Sequence, residues 1–410
     1  MSYTITNIPN NWEVKKMPQV VKWGSGGTPK ATEKQYYEGG TIPWLVIGDL
    51  NDGIVYSSAK KITELGLQNS SAKMIPEGTL LVAMYGSIGK LGITGMECCT
   101  NQAIAYAKEL YGVTTKYMYY YMMMLKSELI SKGKGGTQKN ISQTVLNSLD
   151  VIVPPISEQN ILVERIEELL SQLNSGVDTL MMTRAKLELF RHSVIKDVFE
   201  KEIQKYPYKQ YSLKEIVVDK EGLRRGPFGG SIKKSCFVPE GYKVYEQGNA
   251  INDTIDYGKY YISEEKYKEM ASFHVLPHDL LVSCSGTLGR ITEIPDDAPA
   301  GIINQALLRI RLNKDIVNAD YFIHYFRSGM FQQMIFDKSQ GSAMDNLVGI
   351  KEFKEIKMNI PERQYQPMLV GIVSEKLSVC ESIENTINSS LAQADAMRQS
   401  ILKMAFEGRL

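Results

Sequence analysis

The residues of this 410-residue chain that could do chemistry are groups that hold a ligand rather than cut one. Gly86-Ser87-Ile88-Gly89-Lys90 and Gly286-Thr287-Leu288-Gly289-Arg290 stand 200 positions apart. Each is a Gly-x-x-Gly turn that frees backbone N–H groups and ends on a cation, a pairing suited to a phosphate. Gln102 and Gln305 each sit between an asparagine and an alanine near a strand start. The run Lys132-Gly133-Lys134-Gly135-Gly136-Thr137-Gln138-Lys139-Asn140 joins flexible glycines to the charges of Lys134 and Lys139. Its Thr137 and Gln138 carry groups able to read base edges. Two further loops are rich in Gly, Ser and basic residues. The segment Gly24 to Lys30 offers Ser25, Thr28 and Lys30, and Arg224 to Lys234 offers Arg224, Arg225, Ser231, Lys233 and Lys234. Phosphate and base-edge contacts with nucleic acid are the chemistry these groups support.

Catalytic arrangements do not form. Gly86 to Lys90 is too short for a phosphate-binding P-loop and runs into Leu91 instead of Ser or Thr. Val153-Pro154-Pro155-Ile156 resembles the Asn/Asp-Pro-Pro-aromatic turn of amino-methyltransferases, without its polar residue or its aromatic. Its counterpart Ile360-Pro361-Glu362 gives it the plainer role of starting a helix. Glu352-Phe353-Lys354 resembles the tail of a nuclease carboxylate motif, but the first half of the chain has nothing equivalent. The four histidines (192, 274, 278, 324) form no ligand pattern. Neither do the five cysteines (98, 99, 236, 284, 380), whose odd number and spacing imply a reduced, cytoplasmic protein without a metal centre. The start of the chain lacks the apolar core of a signal peptide, and no apolar run reaches membrane-span length.

The elements that must position these loops come in duplicate. From about Ser157 to Ile203, apolar residues recur in steps of three or four at Leu162, Ile166, Leu169, Leu173, Val177, Leu180, Leu187, Val194 and Val198. That spacing predicts one helix of roughly 70 Å with a single apolar stripe, which needs a partner. Arg191 to Glu200 is repeated by Arg398 to Glu407, and the second stripe runs Leu369, Val373, Leu377, Cys380, Ile383, Ile387, Leu391, Ala394 and Ile401. The expected pairing is antiparallel, with Leu169, Leu173 and Leu180 against Leu377, Ile383, Ile387 and Leu391. The repeat extends into the rest of the chain: Leu80-Leu81-Val82 matches Leu280-Leu281-Val282, Asn101-Gln102-Ala103 matches Asn304-Gln305-Ala306, and Gly135, Asn140 and Ile141 match Gly341, Asn346 and Leu347. Short strand-like runs bounded by turns, without regular βαβ alternation, indicate an α+β fold of two mixed α/β globules. Met122-Met123-Met124 and the tyrosines around them read as helix core.

Charge restricts where nucleic acid could bind. The net charge is +1. Residues 1–150 carry 15 Lys+Arg against 11 Asp+Glu, whereas residues 207–357 carry 20 of each. A basic surface therefore has to be gathered by the fold.

Taken in order, these features resemble the specificity subunit of Type I restriction-modification enzymes over nearly the whole chain. The residues that carry the resemblance are Gly26-Gly27-Thr28-Pro29 with Gly40-Thr41-Ile42-Pro43-Trp44, Gly226-Pro227-Phe228-Gly229, and Gly135 to Ile141. The two helix starts complete it, with Pro154 five positions before Gln159 and Pro361 five before Gln366. The resemblance implies target-recognition domains at 1–156 and 207–363, each reading half of a bipartite duplex DNA site. It further implies spacer helices at 157–206 and 364–410, paired as an antiparallel coiled coil that docks two methyltransferase subunits, with restriction/translocase subunits joining them. On that reading the chain is not an enzyme. It holds no cofactor, and S-adenosylmethionine, ATP and magnesium belong to its partners. Two alternatives are the recognition part of a fused methyltransferase–nuclease and a coiled-coil adaptor that binds no DNA.

Overall fold

The computed structural model describes residues 8–135, 139–227, 231–285, 287–336 and 350–410. Gly136, Thr137, Gln138, Phe228, Gly229, Gly230, Gly286, Gly341, Asn346 and Leu347 lie outside the described residues. The chain divides into two compact units, Met1–Leu180 with Asn388–Leu410, and Met181–Ile387.

In the first unit a five-stranded sheet has the order Val21–Ser25, Ile104–Leu110, Leu80–Ala83, Leu91–Thr94, Gly53–Val55. Leu80-Leu81-Val82-Ala83 is apolar throughout because both faces of this central strand are covered. Leu80 and Val82 enter one core with Tyr117, Met118 and Tyr121. Leu81 and Ala83 enter another with Leu45, Ile104 and Tyr106, as the period of two along a strand requires. Helix α1 (Thr115–Met124) is capped by Thr114, whose hydroxyl accepts from the Tyr117 N–H. Its Tyr117, Met118, Tyr121 and Met122 are fully buried, so it packs the core. A smaller sheet joins Lys61–Ile62, Ile42–Leu45 and Cys99–Thr100, the last pair being parallel. The antiparallel pair Glu13–Lys16 and Asp150–Val153 then leads into the first long helix, α2 (Ile156–Glu200).

The second unit repeats this topology. Its strands Leu223–Arg225, Leu307–Ile310, Leu280–Ser283 and Ile291–Glu293 lie in the same order as their counterparts, and Tyr242–Tyr245 again pairs parallel, with Gly301–Ile303. Helix α3 (Ala319–Phe326) is capped by Asn318. The pair Tyr208–Ser212 and Lys357–Pro361 leads toward the second long helix, α4 (Gln366–Phe406).

One glutamine fastens each long helix to a short one, and this explains the five-residue spacing from the proline. Gln159 is fully buried; it accepts from the Thr114 N–H at 3.0 Å and donates to the carbonyls of Gly112 and Pro154 at 2.8 and 2.9 Å. Gln366 does the same for α3, accepting from the Asn318 N–H at 2.7 Å and donating to Ile316 and Pro361, both at 2.9 Å. Buried polar atoms are costly unless bonded, and here every one of the amide's partners is a backbone group.

The two long helices touch each other, antiparallel within each unit. In the first, Leu162, Ile166 and Leu170 share a core with Ile401, Leu402, Ala405 and Phe406, and Arg398 donates to the Asn174 side chain at 2.7 Å. In the second, Val198 and Phe199 share a core with Leu369 and Val373, and Arg191 pairs with Glu384 at 2.9 Å. Buried or half-buried positions recur every seven residues, at Ile166, Leu173, Leu180, Leu187 and Val194 on α2 and at Val373, Cys380, Ile387, Ala394 and Ile401 on α4. A heptad repeat of this kind is that of a coiled-coil seam. Two details differ from the expected stripes. Ile383 is 40% exposed, because the seam passes one position later, through Glu384. Leu169 and Leu173 pack with the 401–406 segment and not with Leu377, which joins the core of Val198. Leu391 is half-buried.

Candidate nucleic-acid interface

In the first unit the loops singled out in the sequence converge on one end of the five-stranded sheet. Pairing of Leu80–Ala83 with Ile104–Leu110 ends where the Met84 N–H donates to the Ala103 carbonyl at 2.8 Å. The chain then turns through Tyr85 to Lys90 with Gly86 and Gly89 at φ of +65° and +73°, a region that favours glycine. The Gly89 N–H closes the turn on the Ala83 carbonyl at 3.0 Å, and buried Ile88 plugs it from beneath. On one flank lies the 132–141 loop: Lys134 pairs with Asn140, Asn140 bridges Tyr85, and the Gly86 N–H donates to the Lys139 carbonyl at 3.2 Å. On the other flank Ser25 pairs with Ala105, and the Gly27 N–H donates to the Thr100 carbonyl at 2.8 Å. A Cβ at Gly26 would lie 2.2 Å from the Asn101 carbonyl oxygen, so no larger residue fits. The Thr28 hydroxyl bonds the Gln102 amide oxygen.

Ser25, Thr28, Ser87, Lys90, Gln102, Lys134 and Lys139 are thereby brought together; of these only Lys90 is half-buried and the rest are exposed. Lys30 instead pairs with Glu33 at 3.2 Å. Lys22, Lys116, Lys126 and Lys132 are also paired, with Glu109, Glu167, Asp52 and Glu128. Lys90, Lys134 and Lys139 have no carboxylate partner among the described residues. Three uncompensated cations at one sheet end supply the local positive field that the composition does not reveal. Tyr85 was not among the sequence candidates, whereas Asn140 ends the run 132–140 that the sequence singled out. The signal that could have found Tyr85 is its place immediately before the Gly-x-x-Gly turn, after the buried run.

The second unit builds the same corner with other side chains. Ser283 replaces Ala83; its hydroxyl donates to the Thr287 carbonyl at 2.6 Å and accepts from the Arg290 N–H at 3.0 Å. Gly289 has φ +68° and donates to the Ser283 carbonyl. Arg225 reaches the Cys284 carbonyl at 3.5 Å, and Arg224 lies 5.7 Å from the ring centre of Phe273. Gly226 meets the Asn304 carbonyl so closely that a Cβ would fall 1.8 Å away. Thr287, Arg290 and Gln305 are exposed, as are Ser231, Lys233 and Lys234 on a neighbouring segment. Arg290 has no carboxylate partner among the described residues.

Several cations of the second globule are committed internally. Asp279 is fully buried and accepts from Arg311 at 2.7 and 2.8 Å. Arg309, 1% exposed, donates to the carbonyls of His274 and Glu221. Burial, and then the neighbouring Arg311 charge, push the Arg309 pKa down. Arg327, Lys214, Lys266 and Lys268 pair with Asp253, Glu355, Glu269 and Glu264.

Other groups are structural. Burial pushes the Cys98 and Cys99 thiols up to about 12 and Cys284 up to about 11, so these thiols stay protonated. His274 stacks on Tyr267 with ring centres 3.7 Å apart, and His278 bonds Glu293 and Asp296. Among the described residues no three His, Cys, Asp or Glu side chains converge on a metal position. A cavity of about 500 Å³ in the second unit is lined by His278, Glu293, Arg311 and Asn318, but Arg311 is already committed to Asp279. No described helix is long and apolar enough to cross a membrane.

Comparison with known proteins agrees with this geometry. Residues 9–179 match the model of the Type I restriction modification DNA specificity domain. The Type I restriction enzyme MjaIX specificity subunit of Methanocaldococcus jannaschii is 28% identical over 56% of this chain and 52% of its own length. The chain thus spans about half of that relative. The EcoBI specificity subunit of Escherichia coli is 22% identical over 88% of this chain and 80% of its own length. A solved structure described as the basis of complex assembly and conformational transition of the type I R-M system is similar in fold, with a TM-score of 0.74. It shares 14% identity and covers 99% of this chain and 100% of that one. The matching segment, the duplicated fold and the paired long helices agree: residues 9–179 are similar to the DNA specificity domain of Type I restriction-modification systems, and the chain has the fold of a solved type I R-M component.

Proposed function

We propose that the chain reads a bipartite duplex DNA site, one half with residues 1–156 and the other with residues 207–363. The long helices act as the spacer between the halves and as the dock for two methyltransferase subunits. Restriction/translocase subunits join that assembly in the cytoplasm. S-adenosylmethionine, ATP and magnesium serve the partners. The observation that carries this reading is the duplicated Gly-x-x-Gly turn, whose cation, Lys90 or Arg290, has no described carboxylate partner in either half. Phosphate contacts from such cations fix a protein on the duplex, and neighbouring amides and hydroxyls read the bases. Docking is supported by apolar side chains on α2 that water alone would not favour: Met181, Met182, Leu189 and Phe190 are 50, 62, 71 and 55% exposed.

Mapping methylated bases in cells that express the chain with its methyltransferase partner tests the proposal. Two short conserved blocks separated by a fixed unspecified spacer are expected. A single undivided motif, or methylation without sequence preference, would overturn it.

A further inference from the structure

We infer that Tyr85 is a base-reading residue of the first globule, its ring laid against base edges of the first half-site. The second globule lacks this contact because Ser285 stands in its place. The inference rests on the DNA-reading function proposed above.

Met84-Tyr85-Gly86-Ser87 and Cys284-Ser285-Gly286-Thr287 are equivalent positions of the repeat. In both, the first residue is buried and holds the strand end. The next one differs: Tyr85 is 38% exposed, whereas Ser285 is half-buried. Its mounting is stiff. The Met84 N–H and carbonyl bond Ala103 and Ile141, both at 2.8 Å, and the Gly86 N–H bonds Lys139. A rigid aromatic side chain loses little freedom on contact, because only two torsions need fixing.

Its surroundings distinguish it from other exposed aromatics of the unit. Tyr111, 45% exposed, is bonded to Glu109, which also pairs with Lys22. Tyr56, 71% exposed, lies over Gly95, where a Cβ would stand 2.5 Å from its ring. Tyr85 forms no side-chain hydrogen bond with a described residue and shares its corner with Lys90, Lys134 and Lys139, three lysines that have no carboxylate partner among the described residues. Cations that hold the backbone of a duplex would bring its groove onto this ring. An aromatic face offers apolar contact to the thymine methyl group and tells one base pair from another. Ser285 provides only a hydroxyl, so the two halves of the site are read by different means.

The test uses the purified full-length chain and a pool of randomised duplexes, from which bound sequences are recovered. The wild type should enrich a two-block motif. Tyr85→Ala should lose preference at one or two adjacent positions of one block, with discrimination there reduced about tenfold. The other block and the spacer should be unchanged. Tyr85→Phe should keep the motif, since the ring is retained. Ser285→Tyr, a change at the half-buried equivalent position, should add a preference in the other block; its failure to do so would count against the inference even if Tyr85→Ala were unstable. An unaltered motif with Tyr85→Ala overturns the inference, and so does an equal loss for every sequence, which marks a phosphate contact. Loss with Tyr85→Phe as large as with Tyr85→Ala would overturn the role of the ring. A wild-type chain that enriches no motif would instead overturn the DNA-reading function itself.

Discussion

Phe406 meets Tyr117 edge-on, with ring centres 5.3 Å apart and planes at 82°. Phe199 meets Tyr321 in the same way, at 5.3 Å and 78°. The C-terminal end of each long helix therefore seals the core over one short helix, α1 for α4 and α3 for α2. Both phenylalanines are almost fully buried.

Truncating either ring should empty its core. Phe406→Ala should destabilise the first unit by about 3–5 kcal/mol, with the edge-to-face contacts contributing part of that. Hydrogen exchange should report the loss in α1 and the strands beneath it, while α3 stays protected. A loss below about 0.5 kcal/mol, the scale of surface changes, would show that this helix end does not close the core.

The seven-residue seam makes a sharper test of the spacer than a single short insertion. Adding four residues to α2 alone would turn every later seam position by about 40° and locally unwind the supercoil. Seven residues in each helix, at Ser175 and opposite it near Met397, keep the seam and lengthen both helices by roughly 10 Å, close to three base-pair steps. The methylated site should keep both blocks and gain about three base pairs of spacer. An unchanged spacer with retained methylation would rule out the helices as the measure of that distance.

Removal of one turn cation should act on every sequence alike. Lys90→Ala should weaken duplex binding without changing the motif, and the salt dependence should flatten by about one ion. Loss of preference at one base with the salt slope intact would make Lys90 a base reader.

The second unit should also respond to pH. Burial first, then the Arg327 charge, hold the His324 pKa below its ordinary 6.5, against the opposing pull of Asp320. Folding thus favours the neutral imidazole. Its contribution to stability is complete above pH 6.5 and declines as the pH falls from there toward the depressed folded value. Denaturant midpoints at pH 7.5 and 5.5 should differ less in His324→Gln than in the wild type. Equal slopes in both proteins would show that His324 titrates normally.

Much of the architecture was legible in residue spacing. Leu162 to Val198 and Leu369 to Ile401 mark the two helices, since a buried stripe on a rod has one period. Leu80-Leu81-Val82 and its repeat mark the central strands. Register was less legible: both stripes offer apolar residues at every turn, and only the Arg191–Glu384 pair places the seam at 384 and leaves Ile383 in water. The site was legible in part. Glycines flanking Ser87 and Lys90 announced a turn, because positive φ leaves few alternatives. Which lysines remain without carboxylate partners is a property of three-dimensional neighbours such as Asp52 beside Lys126, and no spacing encodes it. Tyr85 escaped notice because one aromatic before a turn is common, and only its company makes it unusual. The buried Arg309 and Asp279 likewise read as ordinary surface charges until the sheet encloses them.

Closure of α1 by Phe406 also sets an order of events during synthesis. Leu80, Tyr117 and Ile152 leave the ribosome early, yet the core they belong to is completed only when Ile401 to Phe406 arrive. The second unit gets its sealing ring, Phe199, before any of its own described strands exist. The unit made first is thus finished last, and a ribosome that stops short of residue 401 releases a chain whose opposite end stays open.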